Sequence, residues 1–327
     1  MSYPLSPRTL PGGVHASIII PARNAAATLP ATLAALAAQD DPPRHEVIVV
    51  DDGSTDGTQA LAQDAATAVR LLATAGGVGP GAARNIGAAA AQAPLLVFTD
   101  ADCEPEPDWL ARIVRAARQA DLVQGKVLPP PGVPVGPFDR FVAVVSEYGL
   151  YQTANLAIAR DLFERAGRFR PIVRPKRSKE LGEDAWLAWR ARRLGARVLF
   201  EPGAVVRHAV FRRGPLGYVG EQARVTWFPE LVRHMPELRE AFLYRRWFLA
   251  ERTAHFDLAI AGAAAALATR RALPLAAALP YARTLEAQSR GWGRRRQPEV
   301  AAAQVAADFV RLGALTWGSV RSRSAVL

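Results

Sequence analysis

The sequence predicts an α/β fold built on a doubly wound, mostly parallel sheet, and two observations support that prediction. Over about 100 residues, short apolar runs rich in β-branched residues alternate with alanine- and leucine-rich stretches of helical periodicity. Three of the apolar runs are followed at once by polar clusters. Alternating strands and helices favour parallel βαβ units with helices on both faces of the sheet. In such a sheet the polar clusters meet in a crevice at the carboxyl ends of the strands.

Four strands and the helices between them are predicted in this region. The strands are apolar runs bounded by proline or polar residues, over residues 17–20, 46–50, 70–73 and 95–98. The helices have leucine or alanine at helical spacing, over residues 26–39, over residues 58–69, and from the glycine-rich loop 76–81 to Ala91.

Beyond residue 104 the pattern is less regular. Residues 160–180 contain eight basic side chains and are interpreted as a surface loop. A helix is predicted after Glu183-Asp184, and two short strands are predicted at 198–200 and 205–206. The predicted organisation is a tail (1–14), an α/β domain (15–210) and a mainly helical, basic C-terminal region (211–327).

The chain has a globular composition and is strongly basic, with a formal net charge of +11 over 327 residues. Residues 201–327 carry most of the excess, with 19 arginines against 10 acidic residues. Such a region suits nucleic acid, an anionic membrane surface, or an arginine-biased composition without a partner. The sequence has no helix-turn-helix, zinc-finger or RNA-binding signature, so nucleic acid is not expected as a partner.

Cys103 is the only cysteine, which excludes an intramolecular disulfide and a zinc site made of cysteines. It is interpreted as a small packed residue rather than a nucleophile. The first residues are polar and proline-rich, without the basic start and apolar core of a secretory signal. We therefore expect a cytoplasmic location.

Two apolar segments near the C-terminus, 258–269 and 272–282, are separated by two arginines. Each has about a dozen residues, fewer than the roughly 20 that a helix needs to span a bilayer. One interpretation is an interfacial hairpin, peripheral on the inner face of the membrane, anchored by Trp247, Phe248, Tyr281 and Trp292. The alternative is a pair of helices packed on the domain or on a second subunit, and the oligomeric state is not predicted.

Two carboxylates, Asp100 and Asp102, directly follow the fourth predicted strand. Hard divalent cations such as Mg²⁺ and Mn²⁺ prefer oxygen ligands, and Mg²⁺ is commonly held by one or two carboxylates together with substrate phosphates. Such a pair is by itself typical of a solvated turn. Its position at the end of a strand, in line with the other polar clusters, favours a metal site.

Six motifs, in order, resemble those of the family 2 glycosyltransferases, whose catalytic domain has the GT-A fold. They are SIIIPARN (17–24), VIVVDDGSTDGT (47–58), GPGAARNIGAAAA (79–91), LLVFTDADC (95–103), TANLAIARDLFERAG (153–167) and LGEDAWLAWRARRLG (181–195). The resemblance covers roughly residues 15–210. It implies a Rossmann-like nucleotide-diphospho-sugar transferase with a nucleotide-binding half (15–103) and an acceptor half (104–210).

The resemblance implies a nucleotide-sugar site built from the first motifs. Asp51 and Asp52 end the second strand, and one of them would bind the base. The opposite wall would be formed by Pro21, Ala22, Arg23 and Asn24. Ser54 is assigned to the same site, with capping of the next helix as its alternative role. Thr55 and Asp56 are interpreted as helix-cap residues only.

The glycine-rich loop 76–81 leads into a helix whose start suits a diphosphate. Gly81 lets the backbone approach a ligand closely, and Arg84 and Asn85 present polar groups at the start of the helix. Pairing of Arg84 with an acidic residue is the structural alternative. The loop is neither a dinucleotide-binding nor a Walker-A sequence, so neither cofactor is implied.

In the family, the first aspartate of the Asp-x-Asp motif contacts the ribose and the last binds the metal. Carried over to this chain, Asp100 and its neighbour Ala101 lie at the ribose, with Asp100 also a candidate metal ligand. Asp102 would bind Mg²⁺ or Mn²⁺ and thereby offset the charge of the leaving diphosphate. His208 falls where some relatives place a histidine ligand, and a packed core histidine is its alternative role.

Glu183 and Asp184 resemble the catalytic acidic pair of the family. Glycosyl transfer with inversion needs one base to take the proton of the acceptor hydroxyl. Asp184 is expected to be that base, with Glu183 as the second candidate or as an acceptor-orienting residue. An acidic pair stabilised by the helix dipole is the structural alternative.

The resemblance also favours transfer of a single sugar. Processive polysaccharide synthases of the family carry a Gln-x-x-Arg-Trp motif, whereas residues 222–227 (QARVTW) have a different spacing. The implied reaction is a metal-dependent, inverting transfer from a UDP- or GDP-linked sugar to a hydroxyl acceptor that is lipid-linked, a glycan or an envelope component. The alternatives are a nucleotidyltransferase-like enzyme and a non-catalytic nucleotide-sugar- or glycan-binding module of the same fold.

Overall fold

The computed structural model describes residues 15–173 and 181–327, so the predicted tail and part of the predicted basic loop lie outside the described residues. The chain divides into two compact units. The first contains the residues up to Val133 and Phe141–Val210, and the second contains Pro134–Arg140 and Phe211–Leu327. Residues 134–140 therefore belong with the C-terminal region, which sequence patterns did not indicate.

The first unit contains one mixed sheet of eight strands, which confirms the predicted fold class. The strands are β1 (Ala16–Ala22), β2 (His45–Asp51), β3 (Val69–Ala73), β4 (Leu95–Thr99), β5 (Cys103–Pro105), β6 (Leu122–Leu128), β7 (Asn155–Ala159) and β8 (Val198–His208). Their order across the sheet is β3-β2-β1-β4-β7-β6-β8-β5. Strands β1 to β4 run parallel, β6 and β8 are parallel to each other, and β5 and β7 are antiparallel to their neighbours.

Helices cover both faces of this sheet. They are α1 (Leu29–Ala37), α2 (Thr58–Gln63), α3 (Pro80–Ala90), α4 (Trp109–Ala117), α5 (Arg160–Arg165) and α6 (Glu183–Arg193). Helices α1 and α4 pack in one core with Ile18 and Ile20 of β1. Because alternate side chains of a strand point to opposite faces, Ile19 faces the other way, towards α3. A Cβ atom on Gly87 of α3 would lie 2.6 Å from Ile19 Cγ2, so glycine permits this close approach.

The four predicted strands are the parallel half of the sheet, and their places are confirmed. Strands buried on both faces appear in a sequence as continuous apolar runs, which makes them easy to recognise. Helix α2 ends six residues before the predicted boundary at residue 69, because Val69 already pairs with Val47 in the sheet.

The second half of this unit is more regular than its sequence indicates. Residues 160–165 form helix α5 rather than a surface loop, since Leu162 and Phe163 are buried and Phe163 lies 5.8 Å from Phe98 between ring centroids. The two short strands predicted before His208 are one strand, β8, which continues through a β-bulge in its pairing with β6.

The second unit is helical, as predicted. Its helices are α7 (Pro215–Glu221), α8 (Phe228–His234), α9 (Leu238–Ala241), α10 (Glu251–Thr269), α11 (Leu279–Arg290) and α12 (Gly293–Ser322), with 3₁₀ turns at Gln222–Trp227 and Leu273–Ala278. The first apolar segment forms the C-terminal part of α10. The second forms the 3₁₀ turn Leu273–Ala278 and the start of α11. Within the described ranges, no helix is long and apolar enough to cross a bilayer. Tyr281 is not an exposed anchor, because it is buried and donates a hydrogen bond to Asp308.

Candidate active site

The loops at the carboxyl ends of β1, β2 and β4 contact one another or a shared neighbour, as predicted. The loop after β1 hydrogen-bonds to the loop after β2. The loop after β4 contacts α3 through Arg84 and contacts the end of β8 through His208. Arg84 also lies near the start of α6. The predicted donor, metal and acidic residues therefore belong to one part of the first unit.

The loops after β1 and β2 are joined by hydrogen bonds that involve the polar side chains singled out in the sequence. Ser54 Oγ accepts a hydrogen bond from the Asn24 backbone N–H at 2.9 Å, and Asn24 Oδ1 accepts one from the Thr55 N–H at 2.9 Å. Asp56 accepts hydrogen bonds from Thr58, which hold its pKa below its usual value. Helix α2 begins only at Thr58, so the expectation that Ser54 and Thr55 cap it is wrong.

The remaining residues of the predicted wall are split between the strand and solvent. Pro21 and Ala22 lie inside β1 rather than after it, and the Ala22 carbonyl accepts a hydrogen bond from the Asp52 N–H. The side chain of Arg23 is 58% exposed, and its Nη1 atom lies 3.9 Å from Asp52 Oδ2. Of this wall, Arg23 is the side chain accessible to an anionic ligand.

Asp52 anchors the glycine-rich loop. Its Oδ1 accepts hydrogen bonds from Thr74 Oγ1 at 2.7 Å and the Val78 N–H at 2.9 Å, and its Oδ2 accepts one from the Gly79 N–H at 3.0 Å. Burial alone would raise the pKa of Asp52, but these hydrogen bonds outweigh it and hold the pKa below its usual value. The carboxylate thus fixes the entry to α3.

Asp51 is fully buried and has one oxygen engaged by its own loop. Its Oδ2 accepts hydrogen bonds from the Ser54 N–H at 3.1 Å and from Gln59 Nε2 at 2.7 Å. Its Oδ1 is buried without a hydrogen-bond partner within residues 15–173 and 181–327.

Arg84 of α3 connects the Asp-x-Asp loop with the start of α6. Its Nη2 lies 2.5 Å from Asp100 Oδ1, and its Nη1 lies 4.0 Å from Glu183 Oε1. The guanidinium is almost completely buried and lies 5.8 Å from the centroid of the Phe169 ring. Arg84 therefore forms an ion pair with an acidic residue, which was the structural alternative to a diphosphate contact. Its Nε has no hydrogen-bond partner in the described part of the chain.

Asn85 does not face the crevice. Its Nδ2 donates to the Phe169 carbonyl at 2.9 Å, and its Oδ1 accepts from the Phe169 N–H at 3.0 Å. Both amide atoms are thereby used to hold the segment after α5, so the geometry does not favour the diphosphate contact expected for Asn85. Gly81 lies in the first turn of α3 and is buried.

Asp102 and His208 are brought together by the antiparallel pairing of β5 and β8. Asp102 Oδ1 lies 3.7 Å from His208 Nε2, and together with the Cys103 thiol they form a cluster with donor atoms within 4.8 Å of one another. His208 Nδ1 lies 2.7 Å from the Ala209 carbonyl. A proton on Nδ1 is donated there, which leaves the Nε2 lone pair directed to the Asp102 side.

This donor set fits a divalent cation held by Asp102 and His208. The carboxylate oxygen suits Mn²⁺ or Mg²⁺, and substrate phosphates can complete such a site. The imidazole nitrogen is a ligand of transition-metal ions and so favours Mn²⁺ over Mg²⁺. Cys103 is a poor ligand here, because burial and the nearby Asp100 and Asp102 charges raise the pKa of its thiol well above the usual value. Asp100 lies outside the cluster and pairs with Arg84, and the intervening Ala101 is buried.

Asp184 differs from these engaged carboxylates. It begins α6 with Glu183, and its Oδ1 accepts a hydrogen bond from the Ala185 N–H at 2.8 Å. Burial raises the pKa of Asp184 to about 6; the Ala185 hydrogen bond and the Arg84 charge oppose this shift, and the Asp100 charge adds to it. Its neighbour Glu183 is more deeply buried and lies beside Arg84.

Asn155 is a supporting residue whose role the sequence did not indicate. It pairs with Thr99 at the end of β4, directly before the Asp-x-Asp motif. Its Oδ1 accepts a hydrogen bond from Trp109 Nε1 at 2.9 Å, and its Nδ2 donates to the Lys126 and Ala204 carbonyls. A buried asparagine within the apolar run ANLAIA is the available sequence signal, since such a polar group must be satisfied.

The mixed eight-stranded sheet with helices on both faces is a fold of the GT-A type. A sequence model described as "Glycosyl transferase family 2" matches residues 17–174. Glycosyltransferase AglE of Haloferax volcanii is 34% identical over 167 residues, which are 47% of this chain and 55% of that protein. Undecaprenyl-phosphate 4-deoxy-4-formamido-L-arabinose transferase of Aeromonas hydrophila is 38% identical over 116 residues, 33% of this chain and 35% of that protein.

The solved structure of mannosyltransferase PcManGT from Pyrobaculum calidifontis, in complex with GDP-Man and Mn²⁺, shares the fold. Its TM-score to this chain is 0.60 at 22% identity, over 95% of this chain and 90% of that one. Residues 17–174 therefore match glycosyl transferase family 2, and the predicted family resemblance is confirmed. The chain spans about half the length, or less, of these curated relatives.

Proposed function

We propose that this protein is a metal-dependent, inverting glycosyltransferase that moves one sugar from a UDP- or GDP-linked sugar to a hydroxyl acceptor. The observation that supports this most directly is the position of Arg84. It joins Asp100, next to the Asp102–His208 pair, with Glu183, next to the carboxylate of raised pKa. This arrangement suits a cation, a diphosphate and a base acting on one anomeric carbon.

Asp184 is the proposed base. A pKa of about 6 leaves its carboxylate mostly ionised at neutral pH, yet more basic than an ordinary aspartate. It would take the proton of the acceptor hydroxyl while that oxygen attacks the anomeric carbon on the side opposite the diphosphate, which inverts the configuration. Glu183 is proposed to orient the start of α6 through Arg84 rather than to accept the proton.

Asp102 and His208 are proposed to hold Mg²⁺ or Mn²⁺, with Asp100 at the ribose. When bound, the cation offsets the negative charge that develops on the leaving diphosphate. Arg84 and the exposed Arg23 supply positive charge from the protein. The GDP-Man and Mn²⁺ complex of the structurally similar mannosyltransferase supports this class of donor and cation.

The acceptor is proposed to be a lipid-linked compound, a glycan or another envelope component. The transferases from Aeromonas hydrophila and Micrococcus luteus that match this chain are named for undecaprenyl phosphate, which supports a lipid-linked acceptor.

A donor-binding and transfer experiment tests this function. Thermal unfolding of the protein is measured with UDP- and GDP-sugars, with and without Mn²⁺, because a ligand bound only by the native state raises the midpoint. Transfer is followed by mass spectrometry of glycosylated acceptors. We expect a Mn²⁺-dependent rise that Asp102→Ala abolishes. Donor binding without transfer to any acceptor would instead favour the non-catalytic module, and no donor binding would contradict the proposal.

We also propose that the second unit holds the protein on the inner face of the membrane. Exposed leucines cluster around the turn between α10 and α11, with side chains from 51% to 83% exposed, namely Leu267, Leu273, Leu275 and Leu279. Two exposed arginines, Arg270 and Arg271, lie between them. Apolar side chains flanked by arginine suit the headgroup region of an anionic membrane.

Vesicle sedimentation tests this location. The double variant Leu267→Ser/Leu273→Ser should lose binding to anionic vesicles, because the removed side chains are the most exposed ones at the turn. Leu216→Ser is the matched control, since Leu216 is 87% exposed on α7, away from this turn in the sequence. Equal sedimentation of all three proteins would contradict the proposal, and a change of oligomeric state in the double variant would favour a subunit contact.

A further inference from the structure

The second unit contains a cavity of about 400 Å³ with an arginine-rich lining. It lies between the segment 136–139, the segment 212–214 and the first turn of α12. Phe138 lines it and packs in a small core with Val300 of α12. Three guanidinium-bearing residues line it, namely Arg212, Arg213 and Arg296, together with a single acidic residue, Asp139.

The one carboxylate in the lining is already engaged. Asp139 Oδ2 accepts hydrogen bonds from the Gly136 N–H at 2.7 Å and from Arg212 Nη1 at 2.5 Å, and its Oδ1 accepts one from the Arg213 N–H at 3.3 Å. These contacts, the Gly136 hydrogen bond above all, hold the pKa of Asp139 below its usual value. Asp139 therefore shapes the cavity, and its charge does not balance three arginines.

The surroundings of the cavity increase this positive excess. Glu221 is the acidic partner of Arg213, but it is shared with Arg140 at 3.7 Å and Arg224 at 3.4 Å. Burial and the nearby Arg140 guanidinium lower the pKa of both Arg213 and Arg224, which is the response of cations crowded together.

Arg296 completes the positive side of the cavity from α12. It lies in the first turn of this 30-residue helix, where the helix dipole is positive. Arg296 Nε lies 3.9 Å from Glu299 Oε2. Both side chains are about half exposed, so Glu299 offsets the positive charge of Arg296 only weakly.

We propose that this cavity binds a phosphoryl group, as a phosphate or diphosphate. Guanidinium groups bind phosphate oxygens through paired hydrogen bonds, and a multiply charged oxyanion balances an excess of several arginines better than a carboxylate does. The cavity belongs to the second unit, whereas the Asp102–His208 pair belongs to the first. Its lining shares no residue with the site proposed for the nucleotide sugar.

The direct test is a calorimetric titration of the full chain with inorganic diphosphate, with EDTA present so that no divalent cation contributes. Arg212→Ala and Arg296→Ala should each weaken binding about tenfold, as expected for loss of one charge-assisted contact. Both side chains are more than half exposed, so the fold should tolerate their removal. Arg290→Ala is the matched control, since this arginine of the same unit is 72% exposed and pairs with Glu286.

The outcomes separate this cavity from other sites. Unchanged diphosphate affinity in the double variant Arg212→Ala/Arg296→Ala would overturn the proposal, as would an equal loss in Arg290→Ala. Retained binding in Asp102→Ala would support it, because that variant impairs only the proposed metal site. Diphosphate binding needs no transfer activity, so failure of the proposed enzyme function would leave this result unaffected.

A second arm identifies the source of the phosphoryl group. Vesicles of phosphatidylcholine, with or without phosphatidic acid, are sedimented with each protein in the presence and absence of diphosphate. If a lipid headgroup occupies the cavity, Arg212→Ala should reduce sedimentation with phosphatidic acid, and diphosphate should compete. If the ligand is a soluble phosphate compound, diphosphate should bind as above and sedimentation should not depend on Arg212.

Discussion

Asp308 in the helical unit is a buried carboxylate and Asp184 in the sheet unit is a half-buried one, and their partners differ. Asp308 Oδ2 accepts hydrogen bonds from Arg252 Nε at 2.9 Å and Nη2 at 2.6 Å and from the Tyr281 hydroxyl at 2.7 Å. Its Oδ1 accepts one from Arg311 Nη1 at 2.8 Å. Asp184 has the Ala185 N–H, and burial raises its pKa to about 6.

The two carboxylates illustrate two roles for an acid that is shielded from water, one structural and one catalytic. A carboxylate whose oxygens accept hydrogen bonds from arginines and a hydroxyl contributes to stability by keeping those buried partners paired. A carboxylate left with few partners is less stable when charged, so its pKa is higher and it accepts a proton more readily. Asp308 therefore fits a structural role, and Asp184 fits proton transfer. Four predictions test this division, from the largest expected effect to the smallest.

Asp184→Asn should reduce the transfer rate about 10²- to 10⁴-fold, the usual contribution of a positioned general base. Donor binding should stay near the wild-type value and the unfolding midpoint at pH 7 should not fall, since the amide removes a charge that burial disfavours. Single-turnover transfer and thermal unfolding measure the two effects. Asp161→Asn is the control, because this aspartate of α5 is 60% exposed. Wild-type turnover in Asp184→Asn would remove Asp184 from its proposed role.

Asp308→Ala should lower the free energy of unfolding by about 3–5 kcal/mol, because it leaves two arginines buried without their acidic partner. The side chains of Arg252 and Arg311 are only 11% and 14% exposed, so water cannot hydrate their charges well once the Asp308 carboxylate is removed. Urea unfolding measures the loss. Asp257→Asn is the contrasting variant: burial and the Asp308 charge raise the pKa of Asp257 to about 6, so its neutralisation should stabilise the protein. Equal destabilisation by both variants would contradict the distinction.

His208→Ala should weaken Mn²⁺ binding at least about tenfold, if the imidazole is a ligand and not only a packed core residue. Calorimetric titration with Mn²⁺ in the presence of UDP or GDP measures this. Cys103→Ala, which removes the third member of the cluster, should leave the affinity unchanged, because a cation that prefers oxygen ligands gains little from a buried thiol. A larger loss in Cys103→Ala than in His208→Ala would assign the cation to the thiol instead.

The parallel half of the sheet was predictable because Ile18, Val49 and Val97 lie in uninterrupted apolar runs. Strand β6, with the sequence LVQGKVL, was missed because Gln124 interrupts the pattern. That side chain is buried nonetheless, since its amide donates to backbone carbonyls, among them that of Asn155. A sequence shows that a polar residue is present, but not that its partners in distant segments let it be buried.

The same limit applies within the site. Spacing along the chain placed Asp52 and Asp102 at strand ends, where both lie, and placed Asn85 at the start of a helix, whereas it lies in the middle of α3. The spacing could not show that Asp52 holds its own glycine-rich loop or that Asn85 holds the Phe169 backbone. A residue that faces a ligand and one that fastens a loop have the same polarity and the same position. The difference depends on which backbone N–H groups come close in three dimensions.

The pH dependence gives the finest test of the comparison, because activity and stability should move in opposite directions. The folded-state pKa of Asp184 is raised to about 6 from an ordinary value of 3.8. As a base it must be ionised, so kcat should be nearly full at pH 7, half-maximal near pH 6 and fall about tenfold per pH unit well below that. A raised folded-state pKa means that the folded protein binds this proton more tightly, so the contribution of Asp184 to stability increases as the pH falls from 6 towards 4.

The unfolding midpoints of wild type and Asp184→Asn, compared between pH 7 and pH 5, isolate the stability effect. Asp257 titrates in the same range, but it is present in both proteins and its contribution cancels in the difference. We expect the wild type to gain stability relative to Asp184→Asn towards pH 5, while its transfer rate falls. A wild-type rate that is constant from pH 7 to 5 would show that Asp184 carries no titrating proton in the reaction. A constant stability difference would place its pKa at the ordinary value and erase the contrast with Asp308.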